Sequence, residues 1–169
     1  MSYELTKLDV NASVLMIDKG APLENRQCPI KLGSEKCLKC SPCHIMNGYG
    51  GAGTLSDGKY NITTQFGGDL HNYVGRGKAM ELMEYVDEVL CGFGGADAKL
   101  YSTASSELKT VALRNDLHLL EARVRHLGTD RNVKILERIF EYCKKKTDME
   151  FYTSIESVKR EDDGTFVVL

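Results

Sequence analysis

The sequence predicts an α/β fold, and three observations carry that prediction. A continuous apolar run, Ser13-Val14-Leu15-Met16-Ile17, has the pattern of a strand buried in a parallel sheet. Two later stretches repeat apolar residues every three or four positions, which is helical spacing. The end of the chain is β-rich and broken by the turn pair Asp163-Gly164. At 169 residues the chain fits a single domain, and a domain of that size buries roughly 70% of the surface its unfolded chain exposes.

Taken in order, residues 3–8 read as the last turns of a helix leading into the strand at residues 13–17. A helix followed by a buried strand is the second half of a βαβ unit, whose first strand and glycine turn belong upstream. On this reading the chain is an internal piece of a larger fold. Residues 22–77 lose periodicity and fill with Cys, Pro and Gly. A connection that long usually has a function.

Helical spacing returns over residues 76–90 through Ala79, Leu82, Met83, Val86, Val89 and Leu90. A further helix is expected over residues 105–115. Leu120, Ala122 and Val124 alternate with Glu121, Arg123 and Arg125, the period of a half-buried strand. Val133, Leu136, Ile139, Phe140 and Cys143 define the clearest helix, with Thr129 or Asp130 as its cap and Lys144, Lys145 and Lys146 compensating the dipole at its end. Residues 151–160 and 165–169 form the closing hairpin.

Bulk composition excludes several classes. An apolar content of 42% and a charged content of 27% are those of a globular protein and not of a disordered or fibrous one. A net charge of -2 gives no basic field for a nucleic-acid backbone. No apolar run reaches the eighteen or so residues that span a bilayer, and the start MSYELTKLD lacks a signal peptide's apolar stretch. The expectation is a cytoplasmic protein with neither nucleic acid nor membrane as partner. In that compartment its six cysteines are thiols, metal ligands or redox groups more readily than a disulfide framework.

Three motifs bear chemistry. Asp18 closes the apolar strand, where a carboxylate accepts the ribose hydroxyls of an adenine dinucleotide, although strands also end in Asp for reasons of turn geometry. Nine of the sixteen glycines fall between Gly48 and Gly77. Bare backbone of this kind either cradles an anion or flat ring, with Ser56 and Lys59 as donors, or forms a surface loop. Cys28, Cys37, Cys40 and Cys43 set four thiols along one loop, the last three in a C-x2-C-x2-C run. Four thiolates suit tetrahedral zinc, and the compressed spacing equally suits an iron-sulfur cluster. A redox CxxC pair or plain reduced thiols are the other readings. Cys91 and Cys143 sit in helical patterns as packing residues, and His44 is a substitute ligand or a solvent-facing loop residue. Arg123, Arg125 and His126 precede a helix start and either face an anion there or are surface charge.

In their order and spacing, VLMIDKG, RQCPI with the cysteine run, HIMNGYGGAGTLSDGK, RHLGTD and MEFYTSIESV resemble the uncharacterised FAD-dependent dehydrogenase family, a bacterial group related to the glutathione-reductase-like flavoproteins. The resemblance runs from Tyr3 to the end of the chain. It implies a partial Rossmann-like FAD-binding domain over residues 1–169, lacking the N-terminal G-x-G-x-x-G and carrying a Cys/Gly-rich insertion at about 22–77. It further implies that Asp18 binds the ADP ribose, with Lys19 and Arg26 near the ribose and pyrophosphate. Residues 50–59, including Gly50, Gly51, Gly53, Ser56, Asp57, Gly58 and Lys59, would line the pyrophosphate and flavin, and the backbone at Ile155 would meet the adenine.

The activity implied is electron or hydride transfer through FAD to a small-molecule redox substrate. No catalytic side chain is named, since the flavin carries the chemistry. Partners implied are FAD and either the rest of the flavoprotein or a second copy of the chain. Without the glycine turn the chain alone is expected to bind FAD weakly or not at all, and to be inactive. The rival reading is a zinc-binding or iron-sulfur module, for interaction or electron carriage, without flavin.

Overall fold

The computed structural model describes residues 1–104 and 107–169. In chain order the elements are α1 (Ser2–Lys7), β1 (Leu15–Ile17), β2 (Lys59–Ile62), α2 (Leu70–Val74), α3 (Arg76–Leu90) and β3 (Leu100–Ser102). There follow α4 (Leu108–Arg114), β4 (Arg123–His126), α5 (Thr129–Cys143), β5 (Asp148–Glu150), β6 (Val158–Arg160) and β7 (Phe166–Val168). The architecture is mixed α/β with small parallel and antiparallel sheets. Two compact units form: Met1–Leu55 with Leu136–Leu169, and Ser56–Ile135. The boundary after Leu55 falls inside the stretch 22–77, so that stretch is not set apart as one insertion. No described helix is long and apolar enough to cross a membrane.

In the first unit β1 pairs in parallel with β5, with Leu15 opposite Asp148, Met16 opposite Met149 and Ile17 opposite Glu150. The strand is where the apolar run predicts it, but it is not buried on both faces: Leu15 remains 54% exposed. A sheet of two strands covers too little of either face to bury them both. The C-terminal half of α5 supplies the core instead. Phe140 meets the ring of Tyr49 edge-on at 4.7 Å and that of Phe151 at 6.2 Å, and Cys143 is buried as its helical position predicts. Burial raises the pKa of the Cys143 thiol and pushes that of the Tyr49 hydroxyl well up. Lys144, Lys145 and Lys146 come just after the last turn of α5, where Lys144 pairs with Glu141 and Lys146 with Asp9. At the end of the chain β6 and β7 form the hairpin that Asp163-Gly164 predicts, with Gly164 at φ 87° in the turn.

The second unit is built on the antiparallel sheet β2-β4-β3. Lys59–Ile62 is a strand here, paired to β4 with Tyr60 opposite Arg125 and Ile62 opposite Arg123, where the sequence suggested only glycine-rich loop. Its pairing is with residues far along the chain, and local pattern does not reveal such pairing. Helix α3 has the predicted bounds and buries Ala79 and Leu90, while Leu82 and Val86 stay substantially exposed. Within the predicted helix at 105–115, Leu108–Arg114 is helical, and Ser105 and Ser106 lie outside the described residues.

The expected apolar-in alternation around β4 fails at Arg125, which is buried. Its guanidinium grips Asp87 through two bonds, Nε to Oδ1 at 2.6 Å and Nη2 to Oδ2 at 2.8 Å, and donates from Nη1 to the Ala98 carbonyl at 2.6 Å. The hydrogen bond to Asp87 raises the Arg125 pKa. Arg123 pairs with Glu84 on the surface. Neither arginine therefore faces an anion at the start of α5.

Candidate functional site

The carboxyl end of β1 is the best-organised polar region of the first unit. After Ile17 the ladder continues for one bond, Asp18 donating its N–H to the Glu150 carbonyl at 2.9 Å. The two segments stay bonded beyond the strands: Thr153 donates to the Asp18 carbonyl at 3.2 Å and Tyr152 to the Gly20 carbonyl at 2.9 Å. The Asp18 side chain closes its own turn by accepting the Gly20 N–H at Oδ1, at 2.7 Å. One carboxylate oxygen is thus fixed, which sets the orientation of the other.

This turn lies directly against the glycine segment. A Cβ on Gly20 would come within 2.2 Å of the Gly48 nitrogen, and one on Gly48 within 2.5 Å of the Ala21 carbonyl. Tyr49 donates its N–H to that same carbonyl at 3.1 Å. Gly50 is likewise pressed against the buried Thr54 hydroxyl, 2.4 Å from where its Cβ would stand. Gly51 and Gly53 differ, because nothing stands within 4 Å of a Cβ at either position.

Arg26 holds this arrangement together. It is 4% exposed and donates only to backbone carbonyls in the bonds its guanidinium makes: Nε to His44 at 3.0 Å, Nη2 to Ile45 at 2.7 Å, and Nη1 to both Tyr49 and Gly51 at 2.7 Å. Burial lowers its pKa, and the charge of Asp18 acts in the opposite direction. The resemblance implies a pyrophosphate contact for Arg26. The structure uses its donors to staple the cysteine-rich loop to the glycine segment.

Beside the Asp18 turn, at the carboxyl ends of the parallel pair, lies a crevice of about 210 Å³. Gly20, Ala21 and Tyr152 form the strand side, and Cys40, Ser41, Pro42, Cys43 and His44 form the loop side. Tyr152 sits at φ 58°, a backbone conformation unusual for a non-glycine residue, and its side chain is mostly exposed. The sequence string MEFYTSIESV contains Tyr152, yet nothing in local pattern marks its left-handed backbone or its place on a crevice wall. Ile155 lies past the strand and is 49% exposed. Lys19 is exposed on the turn.

The remaining predicted residues belong to the second unit. Ser56 accepts the Gly58 N–H at 3.3 Å, and Asp57 pairs with Lys59 at 2.7 Å. The hydrogen bond from Lys59 holds the Asp57 carboxyl below its usual range. Gly58 is glycine for a packing reason: its Cβ would meet the Gly128 carbonyl at 2.9 Å, and its own carbonyl accepts the Leu127 N–H at 2.9 Å.

All four predicted metal ligands, Cys28, Cys37, Cys40 and Cys43, line one small cavity together with His44. The cysteines are free thiols. Among the described residues no three His, Cys, Asp or Glu side chains already stand in a metal-holding arrangement. No protein-family model matches the chain, and no curated protein matches it at a significant level.

Proposed function

We propose that the chain contributes the adenine-nucleotide side of the cofactor site in an FAD-dependent oxidoreductase of the dehydrogenase kind, built as a partial Rossmann-like domain. The observation that carries this reading is the crevice at the carboxyl ends of parallel β1 and β5, with Asp18 closing β1. Open α/β sheets bind ligands outside the carboxyl ends of their strands, and an acidic residue there accepts ribose hydroxyls. The Asp18 carboxylate is held in place at Oδ1 by the N–H of Gly20, which lines the crevice, so the acid that would accept ribose hydroxyls stands fixed at the crevice's edge.

Gly51 and Gly53 suit this reading. The space beside them is open, as it is beside several other glycines and unlike that beside Gly20, Gly48 and Gly50, and bare backbone with open space lets a phosphate or a flat ring approach closely. FAD, when bound, supplies the transfer of electrons or hydride to a small-molecule substrate. The part assigned to this chain is to bind and orient the cofactor. Lys19, beside Asp18 on the exposed turn, would supply a positive charge for the phosphates.

Titration of ¹⁵N-labelled chain with FAD and with ADP tests the assignment. Weak, saturable shifts are expected for the amides of residues 18–21, 51–53 and 152–153, with ADP reproducing most of the FAD effect. Asp18→Ala should remove them. Unmoved amides at the highest soluble ligand concentration, or unchanged binding by Asp18→Ala, would remove the basis of the reading.

A further inference from the structure

We infer that Cys28, Cys37, Cys40 and Cys43 form a structural zinc site. Four thiols from a segment without regular strands converge on a single cavity, and the two other cysteines of the chain take no part in it. Cys28 reaches it from the start of the 3-10 turn Pro29–Leu32, and the other three come from the C-x2-C-x2-C run. His44 lines the same cavity, and its Nδ1 is buried with no hydrogen-bond partner among the described residues.

The loop also lacks the means to hold itself. Ile30, Leu32, Leu38 and Met46 are 48%, 69%, 64% and 60% exposed, so its apolar side chains make no core of their own. At one end Arg26 fastens the loop through the carbonyls of His44 and Ile45. A thiolate-bound ion would fasten the remainder. The thiols do not stand at ligating positions, and the proposal requires them to turn inward, a movement for which rotation about χ1 between staggered wells supplies about 3 Å at each cysteine sulfur.

Size favours a single ion over a cluster. The space between the thiols is about 50 Å³, room for a few water molecules on the measure by which one needs about 10–15 Å³. One tetrahedral ion with thiolates at about 2.3 Å asks for less movement of the loop than a cluster of irons and sulfides does. Because Cys40, Cys43 and His44 also wall the crevice beside Asp18, a bound ion would fix the shape of that wall. The inference does not depend on the cofactor assignment, and its test contains no flavin.

The full chain is produced in medium supplied with both zinc and iron, purified under reducing conditions without a metal-chelating tag, and analysed for zinc, iron and acid-labile sulfide. One zinc per chain is expected, without stoichiometric iron or sulfide. Alkylation followed by peptide mass mapping should find Cys28, Cys37, Cys40 and Cys43 protected until a chelator strips the metal, while Cys91 reacts throughout at an unchanged rate. Cys37→Ser and Cys40→Ser should lose the zinc and Cys91→Ser should retain it. If the serine variants fail to fold, protection in the unmutated chain still decides. The inference is overturned by zinc far below stoichiometric, by iron with sulfide in its place, by a disulfide among the four, or by alkylation that proceeds without chelator.

Discussion

Each unit of the molecule buries one arginine, and the two are satisfied in opposite ways. Arg125 has a carboxylate: Asp87 meets it with both oxygens, and a single carbonyl, that of Ala98, takes a third bond. Arg26 has none in hydrogen-bonding contact and binds four backbone carbonyls instead. Their pKa values move apart accordingly, Arg125 upward through Asp87 and Arg26 downward through burial. The difference follows from what surrounds them. In the second unit a helix and a sheet already exist, and the ion pair locks α3 to β4. In the first unit residues 26–51 have no strand to satisfy their carbonyls, so five guanidinium N–H groups in a fixed fork replace a ladder.

Arg26 matters more than any ion pair. Arg26→Ala removes a donor from four carbonyls at once; those of Tyr49 and Gly51 keep Thr54 as a donor, while those of His44 and Ile45 are left unsatisfied at about 1–3 kcal/mol each. Water entering the vacated space would recover part of this, leaving an expected loss of about 4 kcal/mol. Hydrogen exchange locates the loss: the amides of Tyr49, Gly51 and Thr54 should lose protection while those of β2 and β4 keep theirs. Arg26→Lys should rescue little, because an ammonium cannot span the same carbonyls. Equal loss of protection in β2 and β4 would contradict the local role.

The ion pair of the second unit should respond differently. Asp87→Ala strands a buried cation and is expected to cost about 3 kcal/mol. Replacing both partners with apolar residues, Asp87→Leu with Arg125→Met, should recover more than half of that loss, because a buried pair is often matched by apolar packing of similar volume. No equivalent double replacement exists for Arg26, whose partners are backbone. Urea unfolding of the two single variants and the double variant measures the contrast. A double variant as unstable as Asp87→Ala would mean that the pair contributes more than its own satisfaction.

The same contrast explains what sequence could and could not reveal. Helix α3 and helix α5 were legible because their apolar spacing is local, and the Asp163-Gly164 hairpin was legible because a turn demands particular residues. Asp18 at the end of β1 was legible for the same reason. Burial of Arg125 was not, since alternation assigns a charged residue to the outside face unless its partner, 38 residues earlier, is known. The strand at Lys59–Ile62 was hidden because its partner is distant and it lies between Gly58 and the pair Gly67-Gly68. The role of Arg26 left no trace at all, because backbone carbonyls are the same whatever residues carry them. Gly58 shows the converse, a glycine that the sequence suggests for cofactor contact and for which the structure gives a packing reason, the close approach of the turn at Gly128.

The smallest expected effect is a pH dependence that separates the aromatic core of the first unit from the ion-paired core of the second. Burial raises the Cys143 thiol above its ordinary value of 9.0, and Tyr49 above 10.0. Below those ordinary values both groups are protonated whether the chain is folded or unfolded, so stability is flat. As pH rises past about 9 the unfolded chain releases the Cys143 proton while the folded chain keeps it, and stability falls by up to about 1.4 kcal/mol per pH unit for each such group. The stabilisation is therefore present at neutral pH and is lost on the alkaline side. Urea midpoints followed from pH 8 upward should decline first from Cys143 and more steeply once Tyr49 begins to titrate in the unfolded state. Cys143→Ala should be less stable at neutral pH through its cavity, yet show a flatter profile across the first part of the decline. An unchanged slope in that variant would place the titrating thiol elsewhere. Cys91 is the test of that outcome, because burial raises its thiol too and its neighbours Asp87 and Arg125 belong to the other arginine's network.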